Sequence, residues 1–173
     1  MSQENSKSDR NSPIYAGCGC LVLLMFLGPI MAAFVLPSFL NSAHKAKQSE
    51  AKVYVSSMNK AQQADFLDRG SFSNSVEALG IGIKTETTNY KYSIRATNQA
   101  VFNYGVSKQE LKSFIGGVFV VPAKEVDAKA AKDKMTTASI LCQADSAGTS
   151  KPAEPTYENG KIACGKGTTE VTK

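Results

Sequence analysis

The chain has 173 residues, of which 42% are hydrophobic, and a formal net charge of +5. This length allows one small globular domain with a core of its own in addition to a membrane segment. The basic side chains are spread along residues 41–173 in the manner of an ordinary solvated surface. Composition and charge therefore give no reason to expect nucleic acid as a partner.

An uncharged apolar run follows a polar start. Residues 1–16 are rich in Ser and Asn and are predicted to be a cytoplasmic tail or a leader. The 24 residues 17–40 carry no charge, and a helix needs about 20 such residues to cross a bilayer. A buried core helix seldom has so long an apolar run, and a cleaved secretory signal has a shorter core with a small-residue end. We therefore predict a retained transmembrane helix in contact with membrane lipid.

The helical pattern continues beyond the membrane segment into a polar stem. Apolar residues recur there at steps of three and four, namely Ala51, Tyr54, Met58 and Ala61. We expect one long helix that ends near residue 67, with Gly70 as its C-cap and an apolar stripe that packs under a sheet. Gly28 and Pro37 are expected to loosen the membrane half of this helix and to let it bend.

The rest of the chain predicts an antiparallel sheet. Residues 71–88 are expected to form a loop with one helical turn capped by Ser73 or Asn74, and charged residues 123–134 a surface helix or loop. Period-two alternation or continuous apolar character predicts four strands, Tyr90–Ala96, Ala100–Ser107, Leu111–Val121 and Thr136–Gln143. The Asn159-Gly160 turn predicts a hairpin that closes the domain at 161–164. The expected fold class is α+β, with the long N-terminal helix packed on an antiparallel sheet.

Several blocks along the chain carry a family resemblance. The apolar run ends in Ala-Ala-Phe-Val-Leu-Pro, and five blocks follow it in order, Lys45–Phe66, Gly70–Ile83, Tyr90–Ile94, Ser139–Ala144 and Ile162–Thr168. These residues resemble the type IV pilin-like G/H family of cyanobacteria. The resemblance implies a pilin-like fold and a structural role as a minor pilin or pseudopilin of an envelope filament. It also implies other pilin-like subunits, a prepilin peptidase and a pilus assembly platform as partners.

The same resemblance implies processing of the amino terminus. A prepilin peptidase cuts after a glycine, and Gly17 and Gly19 are the candidates. The glutamate that follows the cleavage site in classical prepilins is missing here, since no acidic residue occurs between Asn11 and Ala43. An alternative interpretation is therefore an uncleaved single-pass membrane protein that presents a small extracytoplasmic binding domain.

The four cysteines form two pairs along the sequence. Cys142 and Cys164 suit a disulfide if the domain is exported, and two buried free thiols are the alternative. The family resemblance favours the bond. Lysines after the apolar run favour a cytoplasmic domain under the positive-inside rule, but the cysteine pair favours the outside, which we adopt. We expect a single-pass protein of the plasma (inner) membrane, in which Cys18 and Cys20 are packing residues or acylation sites.

No motif indicates catalysis. The lone histidine, His44, has Ala and Lys as neighbours and is interpreted as a surface residue. Gly165-Lys166-Gly167-Thr168 looks like part of a phosphate loop, but the upstream glycine and the following helix are missing. We therefore expect no enzyme, no cofactor and no metal site.

Overall fold

The computed structural model describes residues 14–131 and 134–172, and it describes side chains from Ser42 onward. The chain divides into two compact units, residues 1–43 and 44–173. Helix α1 is Ile14–Arg69 and the short helix α2 is Ala123–Val126, with a 3-10 turn at Glu77–Leu79. The strands are β1 (Tyr90–Ala96), β2 (Ala100–Ser107), β3 (Lys112–Pro122), β4 (Met135–Ala147), β5 (Thr156–Glu158), β6 (Lys161–Ala163) and β7 (Thr168–Glu170).

Five strands form one antiparallel sheet in the order β1-β2-β3-β4-β7. Strands β1 to β4 lie side by side in the order in which they follow along the chain. The connections between them are short, and the one between β3 and β4 contains helix α2. Strand β7 then adds to the free edge of β4 and pairs Thr169 with Gln143. Strands β5 and β6 form a separate hairpin at the predicted Asn159-Gly160 turn, and Tyr157 lies opposite Ile162 in it.

The stem part of α1 covers one face of this sheet. Its buried side chains Ala51, Val55 and Met58 meet the sheet residues Tyr90, Tyr92, Phe114 and Leu141 in one apolar cluster. The rings of Tyr54 and Tyr92 lie 5.3 Å apart. The predicted α+β class is thus confirmed for the stem from Ser42 to Arg69. Gly70 ends the helix with a φ of 70°, and its N–H donates to the carbonyl of Phe66.

The opposite face of the sheet has a core of its own. Strand alternation places a second buried set on this face, Ala100, Phe102, Tyr104, Ile115, Phe119, Val121, Ile140 and Cys142. The β5–β6 hairpin covers it, and the ring of Tyr157 lies 6.1 Å from that of Phe119. The sheet is therefore the middle of three layers.

Two adjacent glycines in β3 allow both outer layers to approach the sheet. A Cβ atom on Gly116 would lie 2.0 Å from Oδ1 of Asn59 on α1. A Cβ atom on Gly117 would lie 2.6 Å from Cγ of Pro155 on the other face. The pair therefore marks a close approach of both outer layers to the sheet and not a bulge. The irregular register of β3 lies elsewhere, between Lys112 and Phe114.

Some predicted boundaries were wrong. Strand β4 runs to Ala147 and not to residue 143, because its far end still pairs with β3, where Ala147 lies opposite Lys112. The hairpin that was predicted to close the domain at 161–164 is not its last element, because strand β7 follows it. Ser73 and Asn74 do not cap the 3-10 turn, where the hydroxyl of Ser75 accepts from the N–H of Ala78.

The close approach at Gly116 makes this position intolerant of a side chain. We expect Gly116→Ala to lower the free energy of unfolding by about 2 kcal/mol or more, because an added methyl group overpacks the layer between α1 and β3. Gly105→Ala is the matched comparison, since its Cβ atom would lie 3.0 Å from Val55, a distance that a small shift relieves. Urea unfolding in neutral detergent measures both. Equal losses in the two variants would contradict a specific role for Gly116.

Candidate functional site

Two buried amides bind the stem helix to the middle of the sheet. The side-chain amide of Asn59 donates to the carbonyl of Ile140 at 2.9 Å, and that of Asn103 donates to Oδ1 of Asn59 at 2.9 Å. Because the Ile140 carbonyl can only accept a hydrogen bond, Asn59 must donate to it with Nδ2. The Oδ1 of Asn59 is then left to accept from Asn103. Asn59 and Asn103 are only 4% and 0% exposed. A buried polar group that loses its hydrogen-bond partner has no water to replace it. The two amides therefore specify one position of α1 along the sheet.

A third side-chain amide, that of Gln62, secures the end of the helix. The Gln62 side chain donates to the carbonyl of Ser73 at 2.8 Å and accepts from its N–H at 2.9 Å. The hydroxyl of Ser73 donates to Asp65, which also pairs with Arg69. This explains why Ser73 does not cap the next turn, since its groups already hold the loop against α1.

Glu50 connects the start of the stem to the loop before β1. Its carboxylate accepts from Thr87 Oγ1 at 2.7 Å, from Asn89 Nδ2 at 3.3 Å and from the Tyr92 hydroxyl at 3.2 Å. Burial, together with the charge of Glu50, raises the pKa of Tyr92. The tyrosine therefore stays neutral and remains a donor at every physiological pH.

The side of the stem that faces away from the sheet is left open within residues 44–173. Val53 is 59% exposed and Leu67 is 70% exposed, and both lie on one stripe of the helix with Ala46, Lys60 and Ala64. These positions repeat at steps of seven, or of three and four, so they stay on one side of the helix over almost six turns. We call these five residues the outer stripe. It is poor in charge and consists mainly of small and aliphatic side chains.

An ion pair ties the loop before β5 to the far face of the sheet. The Arg95 guanidinium donates to both oxygens of Glu154, one of them at 2.7 Å, and the Tyr104 hydroxyl donates to the same carboxylate. Arg95 also lies 4.5 Å from the centre of the Phe102 ring. Hydrogen bonding to Arg95 lowers the pKa of Glu154, and burial is the main cause that raises the pKa of Tyr104 to about 12.

A disulfide holds the C-terminal part of the chain to β4. Cys142 and Cys164 are 22 residues apart and are bonded, with their Cα atoms 5.8 Å from each other. This is the pair that the sequence predicts. Cys142 is buried in the second core, and Cys164 directly follows β6.

The other predicted site residues lie outside the residues whose side chains the structure describes. These are Gly17, Gly19, Gly28 and Pro37, together with the whole predicted membrane helix 17–40. Among the residues whose side chains the structure describes, from Ser42 onward, no helix is both long and apolar enough to span a bilayer. His44 is exposed. The residues Gly165–Thr168 form a tight turn, in which the N–H of Thr168 donates to the carbonyl of Gly165 at 3.1 Å.

The disulfide is expected to contribute strongly to stability. Replacing both cysteines, as in C142S/C164S, should lower the free energy of unfolding by about 3 kcal/mol, because the unfolded chain gains the freedom of a loop of this size. The control variant C18S/C20S keeps the bond and should unfold like the wild type. Denaturant unfolding without reductant checks this, and equal stability of C142S/C164S and the control would contradict it.

The ion pair of Glu154 predicts an acid-dependent loss of stability. A carboxylate with a lowered pKa stabilises the fold above its unfolded pKa, near 4.3, and this contribution is lost as the pH falls through the folded value. We expect Glu154→Gln to cost about 1 kcal/mol or less at pH 7, since the pair is partly exposed and screened. Its stability should then fall less steeply than that of the wild type between about pH 5 and pH 3.

Thermal unfolding across this pH range measures the effect. Glu110→Gln is the matched control, because Glu110 is exposed and makes no hydrogen bond among the described residues. If E154Q and E110Q follow the same pH profile, the carboxylate of Glu154 is not the group that titrates.

The sequence relates this architecture to a known family. A model of the family described as type IV pilin-like G and H matches residues 48–165. The match includes the stem helix, both cores and the disulfide, and it covers well over half of the chain. No curated protein and no solved structure matches the chain. The protein is thus pilin-like in sequence as well as in its helix-on-sheet architecture, and it belongs to the family of type IV pilin-like G and H proteins.

Proposed function

We propose that this protein is a minor subunit of a type IV pilin-like filament in the cell envelope. The apolar run 17–40 anchors it in the plasma membrane, and residues 44–173 lie outside the cytoplasm. Membership of the pilin-like family supports a structural subunit that assembles with others of its kind. The observation that carries the proposal is the stem helix, whose inner side is fixed on the sheet while its outer stripe stays open.

Because the inner side of the helix is fixed on the sheet, its open outer side is available for assembly with other subunits. A prepilin peptidase removes the leader after Gly17 or Gly19, and an assembly platform brings the subunits together. The apolar half-helices then pack side by side, with Gly28 and Pro37 giving them room to bend. The outer stripe continues the contact along the stem, since burying exposed aliphatic side chains such as Val53 and Leu67 is favourable.

The filament serves motility, adhesion, DNA uptake or secretion. The fold is common to these roles, because each of them needs a rigid stem that carries a small exposed domain. Membrane lipid surrounds the subunit before assembly, and other pilin-like subunits replace it in the filament.

A second function is favoured by one feature of the sequence. No acidic residue occurs between Asn11 and Ala43, so the pairing of a glutamate with the amino terminus of a neighbouring subunit is missing. In that case the protein remains uncleaved and presents residues 44–173 as a binding domain on a single membrane span.

The intact mass of the protein from its native membrane distinguishes the two functions. We expect the chain to lack its first 17 or 19 residues. A full-length mass would overturn the processed filament subunit and leave the anchored binding domain. Without reductant, the mass should also be lower by the two hydrogen atoms lost in the Cys142–Cys164 bond.

A charge on the outer stripe should block assembly without unfolding the domain. We expect Val53→Asp to reduce the amount of protein in sheared filaments at least about tenfold, because the contact would bury an unpaired carboxylate. Val126→Asp is the matched control, since Val126 is 60% exposed and lies on α2, away from the stem. Equal filament recovery for V53D and V126D would remove the outer stripe from the assembly contact.

A further inference from the structure

A polar cavity lies beside the disulfide, on the C-terminal side of the domain. It has a volume of about 420 Å³ and is open to solvent; it is lined by Ser113 of β3, the end of β4 with Gly148, the loop 150–153 and the turn at 166–167. Cavities of this size accommodate a ligand of a few hundred daltons. None of these segments belongs to the stem helix, so the contact proposed for assembly does not use this cavity.

The disulfide holds two of these walls together. Cys142 lies two residues before the part of β4 that lines the cavity, and Cys164 lies two residues before Lys166. A Cβ atom on Gly165 would lie 2.5 Å from the carbonyl oxygen of Glu154, so the loop before β5 packs directly against the turn. The Gly165–Thr168 segment, which resembles part of a phosphate loop in the sequence, thereby becomes a wall of a cavity.

The lining combines cations with hydroxyl groups. Two lysines, Lys151 and Lys166, and two serines, Ser146 and Ser150, belong to the lining, and all four are exposed. The ammonium of Lys151 lies 3.8 Å from the centre of the Tyr104 ring, which positions it. Lys166 has no ion-pair partner among the residues that the structure describes. These groups can donate hydrogen bonds to an anionic ligand.

A single carboxylate in the lining narrows the ligand class. Asp145 accepts from the hydroxyl of Thr169 at 2.6 Å through one oxygen, and its other oxygen can accept from a ligand hydroxyl. A sulfate offers that carboxylate only repulsion, and hydrogen phosphate offers it a P–OH donor on a group that is itself negatively charged. A sugar acid, in contrast, has hydroxyl groups for Asp145 and the serines and a carboxylate for the lysines.

We propose that this cavity binds an acidic saccharide, with Lys151 and Lys166 on the sugar carboxylate and Asp145 on a sugar hydroxyl. The lining has no aromatic ring on which a sugar could stack. Specificity therefore depends on the charged groups. The inference goes beyond the proposed function and holds whether the protein forms a filament or remains an anchored binding domain.

Binding of tetragalacturonate to the full-length protein in neutral detergent tests the proposal, with affinity measured by calorimetry at fixed salt. We expect K151Q/K166Q to weaken binding at least about tenfold, since each lysine contributes a charge-assisted hydrogen bond. The control K84Q/K161Q removes the same charge from two exposed lysines outside the cavity and should change affinity less than about twofold. Asp145→Asn should weaken tetragalacturonate binding and should strengthen the binding of inorganic phosphate.

Several outcomes would overturn the proposal. Equal losses in K151Q/K166Q and K84Q/K161Q would show attraction to net charge alone. If the neutral maltotetraose binds as tightly as tetragalacturonate, the site is not specific for an acidic saccharide. If equimolar inorganic phosphate displaces tetragalacturonate, the cavity is a simple anion site.

Unchanged thermal unfolding of K151Q/K166Q without ligand confirms that the variant is folded. Filament recovery is scored separately, so a failure of assembly leaves this test unaffected.

Discussion

The contact between Asn59 and Gly116 is the constraint on which the rest of the fold depends. The helix can come so close to the sheet only because β3 has no side chain at this position. The short distance lets the Asn59 amide reach the carbonyl of Ile140 on the neighbouring strand. A purely apolar contact would allow α1 to slide along the sheet, whereas a buried hydrogen bond is satisfied in one position only. The position of the stem, and with it the direction of its open side, follows from this one contact.

The three layers separate the two surfaces of the domain. The stem helix leaves its outer stripe open on one side, and the disulfide and the Arg95–Glu154 ion pair build the far side of the sheet. Gly117 lets the loop at Pro155 approach that face just as Gly116 lets the helix approach the other. Adjacent residues of a strand point to opposite faces, so two neighbouring glycines serve two different layers. The proposed assembly contact and the proposed ligand cavity are therefore built from different segments of one small domain.

Much of this architecture could be predicted from local patterns. The bounds of β1 and β2 agree with the alternation of Tyr90–Ala96 and with the run Ala100–Ser107. The Asn159-Gly160 turn predicted its hairpin because both residues adopt positive φ there. Strand β7 was missed, since three polar residues on an edge have no apolar alternation to mark them. The cavity was missed too, because its walls come from segments that are distant in sequence.

The sequence by itself determined the family, the fold class and the stem pattern, and through the family resemblance it favoured the bond between the two distal cysteines. These properties depend on local periodicity, on turn residues and on blocks that keep their order along the chain. Only the tertiary structure decided which glycine faces which layer, that Ser73 holds the helix and not the next turn, and that the Gly165–Thr168 turn borders a cavity. The physical reason is that such roles depend on distances between residues far apart in sequence, which no local pattern contains.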